Sequence, residues 1–307
     1  MFRNTGRTAY AYVTPALLLV ALLSLVPNVY SLYLAFTNYS IYHFDSYDLV
    51  GLKNFYRIFS GRELQVFMLV FGWTLVWSVV GVAGSVLVGL VLALVLNQPN
   101  LGGRNLYRTL FIVPWAIPAF ISVMMWQGLF NTKYGSINLM LRGLGGMLGL
   151  HLFDIDWLHQ MGPARAAVLI VNVWLAFPFM MTVILGALQS ISADLYEAAS
   201  VDGASRVRQF FAITIPQLRS AMLPVIISSF AFNFNQFGGI YLLTGGGPPL
   251  PNGVSAGATD ILVTHAYHLA FVQFLFGTAC AYAVLIFIVV AGLSLVNFNL
   301  AGVFEEV

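Results

Sequence analysis

Six long runs of the sequence contain no charged residue, and each is long enough to cross a lipid bilayer as a helix. A helical span needs about 20 apolar residues, because its length must match the hydrocarbon core. Charged side chains are rare in such spans because hydrocarbon offers them no partner. The uncharged runs cover residues 8–44, 64–103, 109–132, 166–193, 220–259 and 261–304. They predict an all-α polytopic membrane protein with six transmembrane helices.

The composition agrees with this prediction and excludes other classes of protein. Apolar residues make up 60% of the 307 residues and charged residues 8%, whereas about 25% of the residues in a soluble domain are charged. The net charge of +2 provides no basic surface for nucleic acid. The single cysteine, Cys280, excludes a disulfide framework and a cysteine-rich metal site.

The apolar centres of the runs predict the positions of the spans. For the first, second and sixth spans we expect residues 9–36, 67–96 and 271–296, and the fifth span should occupy the first half of its run. Residues 143–153 are apolar but too short to span and rich in glycine, so we expect an external loop. The first apolar core is too long for a cleaved signal peptide and should be a permanent helix.

The basic residues favour a cytoplasmic amino terminus by a small margin. With this terminus inside, seven basic residues lie in inner segments and six in outer segments. The first tail is more informative, because it carries Arg3 and Arg7 and no acidic residue before the first helix. Basic residues favour the cytoplasmic side, so we expect both termini to be cytoplasmic.

Residues 192–216, between the fourth and fifth spans, have the pattern of two short helices at the membrane surface. Ser192 suits an N-cap, and Gly203 suits the left-handed position that follows a helix. Ser205 can cap a second short helix. Pro216 can open the fifth span, where its missing N–H has no cost. On these residues alone, an ordinary amphipathic connector is equally compatible.

The spacing within this loop resembles the signature of membrane subunits of binding-protein-dependent ABC importers. The signature reads Glu-Ala-Ala, three residues, Gly, nine residues and Ile-x-Leu-Pro, and residues 197–216 match it except for Ile215 in place of Leu. The resemblance implies the type I ABC importer permease fold, with residues 1–307 as one transmembrane permease domain. It also implies that residues 192–216 form a coupling helix that docks in a cleft of an ATPase subunit. The residues given this coupling role are Glu197, Ala198, Ala199 and Gly203.

The chain contains no GxxxxGK[ST] phosphate-binding motif, which an ATPase of the P-loop class requires. We therefore expect ATP and Mg²⁺ to bind a separate ATPase chain, and expect this chain to be a transport subunit without catalytic residues or cofactors. His265 and His268 lie three residues apart, but a metal site needs more ligands, so we expect no metal site.

Further segments resemble the MalF-like permease subunits of maltose/maltodextrin importers. These segments are residues 172–179 (NVWLAFPF), 233–248 and 259–264. Residues 51–56 (GLKNFY) resemble the external GLxNF element of sugar-type permeases more generally. The resemblance implies three kinds of partner: a second, MalG-like permease subunit, a homodimeric MalK-like ATPase and an extracytoplasmic sugar-binding protein. It implies a multi-pass protein of the bacterial or archaeal cytoplasmic membrane that passes maltose, maltodextrin or a related neutral oligosaccharide.

The polar residues within the spans are neutral, which favours a neutral solute. Ser229, Asn233 and Gln236 are spaced i, i+4 and i+7, so one helix should present them on one face. Amides donate and accept hydrogen bonds and suit sugar hydroxyls, while aromatic faces suit the apolar face of a pyranose. Such residues can instead hold helices together, and the residues alone leave both interpretations open.

The resemblance to MalF-like subunits implies a sugar site formed by residues of the fourth and fifth spans. The matching positions are Asn172, Leu175, Ala176, Phe179, Ser229, Phe232, Asn233 and Gln236. Three differ in type from the family pattern, because Ala176 replaces a Gly, Phe179 a Tyr and Gln236 an Asn. A different or broader glycan preference would follow.

Two other functions remain open at this stage. One is a permease for another neutral solute, such as a different oligosaccharide or a solute of the glycerol-phosphate type. The other is a secondary carrier, although the span centres contain no ionisable residue of the kind that such carriers use. Pro114 and Pro118 should break or kink the third span. Residues 245–257 should form a flexible outer loop.

Overall fold

The computed structural model describes residues 5–149 and 154–300. In chain order its α-helices are α1 (Thr5–Val20), α2 (Val26–Leu34), α3 (Lys53–Ile58), α4 (Gly61–Leu96), α5 (Arg104–Ala116), α6 (Ala119–Leu129), α7 (Ser136–Met147), α8 (Met161–Gln189), α9 (Ala193–Val201), α10 (Arg206–Gln209), α11 (Ile215–Phe234), α12 (Phe237–Thr244), α13 (Leu262–Phe271) and α14 (Phe276–Leu300). The chain divides into two compact units, one of residues 1–67 and 266–287 and the other of residues 68–265 and 288–307.

The prediction of six spans is confirmed when one bent pair of helices is counted as a span. The candidate spans are Tyr10–Leu34, Gly61–Leu96, Met161–Gln189, Arg206–Phe234 and Phe276–Leu295, together with the pair Arg104–Ala116 and Ala119–Leu129. These six lie within the six uncharged runs of the sequence or extend them by a few turns. Arg3, which contributed to the predicted orientation, lies outside the described residues.

In the first unit, the end of the first span is held by a buried asparagine. A π-helical turn, Ala21–Leu25, joins α1 to α2 directly before Pro27, whose missing N–H interrupts the α-helical pattern. Asn54 of α3 is 8% exposed, and its Nδ2 donates to the carbonyl oxygens of Ala35 and Thr37 at 2.8 Å each. The GLKNFY segment therefore fixes the chain where it leaves α2.

The predicted break in the third span is confirmed and lies at Pro118. The axes of α5 and α6 meet at 91°. A residue before proline is pushed out of the helical region, and Ile117 is extended, with φ −82° and ψ 133°. Pro118 also has no N–H to donate to the carbonyl of Pro114. The break therefore leaves a backbone acceptor without its usual helical donor.

The fifth span begins earlier than the sequence indicates. Pro216 was expected to open it after a separate short helix, but the helix runs without interruption from Arg206 to Phe234. Ser205 caps its start by accepting a hydrogen bond from the backbone N–H of Arg208 at 3.3 Å. A π-helical turn, Phe210–Thr214, precedes Pro216. This turn accommodates the lack of a proline N–H, so the helix continues past Pro216.

The prediction for the sixth span was wrong at its start. A separate helix, α13, ends at Phe271, and the span begins at Phe276 instead of residue 271. Between them Phe274 adopts a left-handed conformation with φ 57°, which ends the helix. The backbone N–H of Leu275 closes this turn by donating to the carbonyl of Leu269 at 2.8 Å.

Two predicted loops are more ordered than expected. Residues 143–147 belong to helix α7, while residues 150–153 of the predicted external loop lie outside the described residues. Residues 245–257 form a hydrogen-bonded hairpin in place of a flexible loop. Thr259 Oγ1 donates to the carbonyl of Gly247 at 2.8 Å, and Arg165 Nε donates to that of Ala258, also at 2.8 Å.

In the second unit, α4 and α8 are in close contact at three glycines, whose lack of a side chain lets the two helices approach. A Cβ at Gly84 would lie 2.7 Å from Val173 Cγ2, and one at Gly89 would lie 2.7 Å from the backbone nitrogen of Met181. A Cβ at Gly81 would overlap the side-chain amide of Asn172. The third contact brings α4 directly against a residue of the predicted sugar site.

Candidate functional site

An open cavity of about 880 Å³ lies in the second unit. Its wall comes from α4, from the break between α5 and α6, from α8, and from α11 with the residues that follow it. All eight residues of the predicted sugar site line this cavity: Asn172, Leu175, Ala176, Phe179, Ser229, Phe232, Asn233 and Gln236. The structure therefore brings these residues together, and their role in binding stays a prediction.

The cavity lies near the middle of the membrane spans. On one side of it, a buried cluster that includes Trp73, Trp77 and Val171 packs α4 against α8. On the other side, a second cluster includes Leu188 and Leu218. The cavity residues of α8 fall between these clusters, within positions 172–180 of a helix that covers 161–189. On α8, the cavity therefore lies about halfway along the helix.

Two buried amides join the two helices that carry the predicted site. Asn172 Nδ2 of α8 donates to Asn233 Oδ1 of α11 at 2.8 Å, and Asn233 Nδ2 donates to the carbonyl of Ser229 at 3.1 Å. Asn172 and Asn233 are each 5% exposed. Trp77 Nε1 donates to the backbone carbonyl of Asn233 at 3.1 Å. This network fixes the amides, so the pair serves as a link between helices as well as a wall of the cavity.

Gln236 reaches the cavity by a different route from the one predicted. Helix α11 ends at Phe234, and Asn235 leaves the helical conformation with φ −113° and ψ 16°. Gln236 precedes α12 as its N-cap residue, and its side chain makes no capping hydrogen bond. The prediction of one continuous helix face was therefore wrong for Gln236, because the break redirects the chain. Asn235 is not among the residues that line the cavity.

The apolar wall of the cavity is aromatic and accessible. Phe232 is 69% exposed, Trp115 61% and Phe179 40%, and the ring centroids of Trp115 and Phe179 are 6.3 Å apart. Sequence reasoning did not include Trp115 among the candidate site residues. Its neighbours Pro114 and Pro118 also line the cavity, and the Pro-Trp-x-x-Pro spacing around the break is the signal that would have identified it.

The electrostatic character of the cavity is neutral. Among the described residues that line it, none carries a formal charge. Its polar groups are the amides of Asn172, Asn233 and Gln236 and the hydroxyls of Ser85, Ser228 and Ser229. Such a surface offers paired donors and acceptors without a counter-ion for an ionic solute.

A second candidate region is the exposed loop that follows α8. Ser192 Oγ accepts a hydrogen bond from the backbone N–H of Asp194 at 3.3 Å, which confirms the predicted N-cap of α9. Gly203 has φ 76°, which confirms the predicted left-handed position. The N–H of Ala204 donates to the carbonyl of Ala199 at 2.8 Å, and this bond closes the end of the helix as in a Schellman motif.

The residues predicted to couple this loop to an ATPase lie at its surface. Glu197, Ala198 and Gly203 are exposed, and Ala199 is partly buried. Val201, Val207 and Phe211 next to them are 65–88% exposed. The loop therefore presents one acidic group and several apolar side chains on a compact surface, and its role in docking stays a prediction.

Side-chain hydrogen bonds tie α9 to the helix that leads to the cavity. Tyr196 Oη and Thr214 Oγ1 are 2.9 Å apart. Gln209 Nε2 donates to Ser200 Oγ at 2.9 Å and to the carbonyl of Ala204 at 3.1 Å. The fifth span is continuous from Arg206 to Phe234, so these bonds connect α9 to the helix that carries Ser229 and Asn233.

The sequence matches an established protein family over most of its length. Residues 85–302 match the model of the family described as "Binding-protein-dependent transport system inner membrane component". The matched region includes the cavity residues of α8 and α11 and the whole loop that carries α9.

Individual relatives agree with this match. The chain is 45% identical over 253 residues to the maltose/maltodextrin transport system permease protein MalF of Salmonella typhimurium, which covers 81% of this chain and 48% of the relative. It is 36% identical over 306 residues to the maltodextrin transport system permease protein MdxF of Bacillus subtilis, covering 97% of this chain and 70% of the relative. The chain thus spans about half the length of the MalF relatives it matches.

A solved structure has the same fold. A chain of a bacterial ABC transporter involved in the import of the acidic polysaccharide alginate superposes with a TM-score of 0.74. It is 22% identical in sequence, and the match covers 96% of this chain and 94% of that chain. The predicted type I ABC importer permease fold is confirmed.

Proposed function

The chain belongs to the family of binding-protein-dependent transport system inner membrane components, and from that premise we propose that it is a permease subunit of an ATP-driven sugar importer. In this proposal it passes maltose, maltodextrin or a related neutral oligosaccharide across the membrane. The names of its relatives MalF and MdxF support this substrate class. The chain itself does not hydrolyse ATP, because it lacks a phosphate-binding loop.

The observation that carries the proposal is the uncharged cavity beside the midpoint of α8. Its amides and hydroxyls can pair with sugar hydroxyls, and the rings of Phe179 and Phe232 can contact the apolar face of a pyranose. A volume of about 880 Å³ is within the range of small-molecule sites, about 300–1,000 Å³. It accommodates a few sugar units and leaves the remainder of a longer glycan outside.

The same observation ranks the alternative substrates. A solute of the glycerol-phosphate type or an acidic saccharide would bring a negative charge into the cavity, and its described lining supplies no cation to pair with it. Another neutral disaccharide or oligosaccharide remains compatible. The phenylalanine at position 179, where the family pattern has tyrosine, removes one hydroxyl from the site and favours a difference in sugar preference.

The proposed mechanism uses the loop that carries α9 as the mechanical link. ATP binding and hydrolysis in the partner would move α9, which docks through Glu197, Ala198 and Ala199. The hydrogen bonds that join Tyr196 and Ser200 of α9 to Thr214 and Gln209 of the fifth span would carry this motion to Asn233. The solute would then be released as the two amide-bearing helices separate.

The protein is a multi-pass inner membrane protein, and we place both termini and α9 on its cytoplasmic side. Arg206, Arg208 and Arg219 lie on the same side of the membrane as α9, because they belong to the first half of the fifth span. Arg104 and Arg108 begin the third span on that side as well. This accumulation of arginine follows the positive-inside tendency. The host is proposed to be a bacterium or an archaeon.

The partners belong to the same proposal. We infer a second, MalG-like permease subunit, a homodimeric MalK-like ATPase and an extracytoplasmic sugar-binding protein. A related structure contains a pentasaccharide-bound periplasmic protein together with the alginate transporter, but at 22% identity it supports the fold only. The exposed aromatic side chains at the mouth of the cavity are compatible with a second permease subunit that completes the wall.

The composition of the complex provides a direct test of the proposal. The purified chain should show no ATPase activity, because it has no phosphate-binding loop. After co-expression with the neighbouring genes of its operon, it should co-purify with one different permease chain and two ATPase chains, as measured by native mass spectrometry. A stable homo-oligomer that transports sugar without any ATPase would contradict the proposal and favour a secondary carrier.

A further inference from the structure

Helix α7 presents an apolar face that the described part of the chain leaves uncovered. The side chains of this face are 52–85% exposed: Leu139, Met140, Leu144, Met147 and Leu148. They recur at intervals of three and four residues, so they lie along one side of the helix. On the opposite side Asn138 and Gly145 are buried. The helix therefore exposes its apolar side chains and packs its other face, with Asn138 and Gly145, against the protein.

Hydrogen bonds fix α7 at the ends of two membrane spans. Asn138 Nδ2 donates to the carbonyl of Thr132, just after α6, and to that of Ile155, just before α8, both at 2.9 Å. Trp157 Nε1 donates to Asn138 Oδ1 at 3.0 Å. The boundary between hydrocarbon and water passes near the ends of spans. This anchoring therefore holds α7 at the depth of the lipid headgroups, on the membrane face opposite α9.

The length and charge of α7 fit this position. Its 12 residues extend about 18 Å at 1.5 Å per residue, which is too short to cross the bilayer. Its one charged residue is Arg142, whose Nε lies 3.2 Å from Asp154 Oδ1 and whose Nη2 donates to the carbonyl of Lys133 at 3.1 Å. Arg142 is therefore ion-paired within its own loop, while the exposed Lys133 puts a cation just before the helix, where it can reach lipid phosphates.

We propose that α7 is an interfacial membrane helix whose apolar face is embedded in the phospholipid bilayer, with Lys133 and Arg142 at the level of the phosphates. A helix with an apolar face and flanking basic groups binds the boundary between headgroups and acyl chains. The apolar side chains offer no polar group that would specify a protein partner, whereas the exposed Lys133 complements lipid phosphates. The helix thereby sets the depth of the carboxyl end of α6, to which it is linked through Thr132.

Spin labels on the apolar face test this proposal. Single cysteines are introduced by Met140→Cys and Met147→Cys in a Cys280→Ala background, and the labelled full chain is reconstituted in nanodiscs of phosphatidylethanolamine and phosphatidylglycerol. Collision rates with oxygen, which dissolves in lipid, are compared with those of a water-soluble nickel chelate. At both positions we expect the ratio of oxygen to nickel collisions to rise above that of the control, Asn252→Cys, at the exposed tip of the hairpin.

Each other outcome contradicts the proposal. Labels that meet the nickel chelate as often as the control does would show that the face is in water. Low collision rates with both reagents in the assembled complex would show that a protein subunit covers the face. Collision rates with both reagents that fall only when the sugar-binding protein is added would show that this protein covers it. Two positions are used so that the misfolding of one variant does not decide the result, and size-exclusion chromatography in nanodiscs verifies that each labelled chain is intact.

Discussion

Replacement of Asn233 by alanine should slow ATP-driven transport about five- to hundred-fold, because an unpaired buried polar group costs about 1–3 kcal/mol and about 1.4 kcal/mol corresponds to tenfold. Asn233 is 5% exposed and accepts the 2.8 Å hydrogen bond from Asn172. Its loss removes an amide from the cavity and leaves the Asn172 amide without its acceptor. Uptake of labelled sugar into proteoliposomes that contain the whole complex measures the effect.

The matched control is Asn235→Ala, which removes the same side chain two residues away. Asn235 does not line the cavity, so transport should stay close to that of the unchanged complex. Phe232→Ala should slow transport by a similar amount to Asn233→Ala, through lost contact with the sugar ring. If Asn235→Ala abolishes transport while the other two variants transport normally, the assignment of the site is wrong.

The link between helices that Asn233 also provides needs a separate measurement. The thermal stability of the complex and its ATPase activity, stimulated by the binding protein, should be determined for each variant. We expect stimulated ATP hydrolysis to survive better than transport in Asn233→Ala, because the loop that carries α9 is unchanged. A fall in transport that only follows the loss of intact complex would show that the two amides serve packing alone.

Changes in the loop that carries α9 should reduce the stimulated ATP hydrolysis itself, whereas Asn233→Ala should mainly reduce transport. Gly203→Val forces a side chain into a left-handed conformation at a cost of roughly 1 kcal/mol or more. Gly203 has a φ of 76°, and the hydrogen bond from the Ala204 N–H to the Ala199 carbonyl that closes α9 depends on this conformation. We expect the ATPase activity stimulated by binding protein and sugar to fall by roughly fivefold or more, since about 1.4 kcal/mol corresponds to tenfold.

Two controls separate docking from folding in this experiment. Gly102→Val makes the same replacement at a glycine that is not left-handed and has open space around it, so stimulated activity should be retained. Glu197→Lys reverses an exposed charge at the proposed contact and should weaken docking, whereas Asp45→Lys makes the same change in charge in a different loop. Unchanged stimulated hydrolysis in both Gly203→Val and Glu197→Lys would show that the loop is only a connector.

The sequence was sufficient to predict the cavity residues because most of them lie on regular helix. Asn172, Leu175, Ala176 and Phe179 are spaced by three and four residues along α8, so their common face follows from helical geometry. The same reasoning holds for Ser229 and Asn233. It fails for Gln236, because the break at Asn235 comes without a proline or glycine at that position. Tertiary contacts, such as the bond of Trp77 to the Asn233 carbonyl, accompany this break and leave no local signal.

The fold was predictable wherever a residue has a conformational preference of its own. Pro118 breaks the third span because it has no N–H, Ser192 caps α9 because its hydroxyl accepts a hydrogen bond, and Gly203 ends α9 because glycine adopts a left-handed conformation. The left-handed Phe274 and the start of the sixth span were not predictable, because phenylalanine has no preference for that conformation. Trp115 was missed as a cavity residue for a related reason. It lines the cavity only because of the 91° bend beside it, and the size of a bend is not encoded in one proline.

A panel of labelled solutes tests the central claim most directly. The complex with its binding protein, reconstituted in proteoliposomes with ATP inside, is offered maltose, maltotriose, a longer maltodextrin, an acidic oligosaccharide and glycerol 3-phosphate. The account predicts ATP-dependent uptake of one or more neutral glucose oligosaccharides and none of the two anionic solutes, because the described lining of the cavity has no charge. Uptake of an anionic solute in preference to the neutral sugars, or uptake that proceeds without ATP, would contradict it.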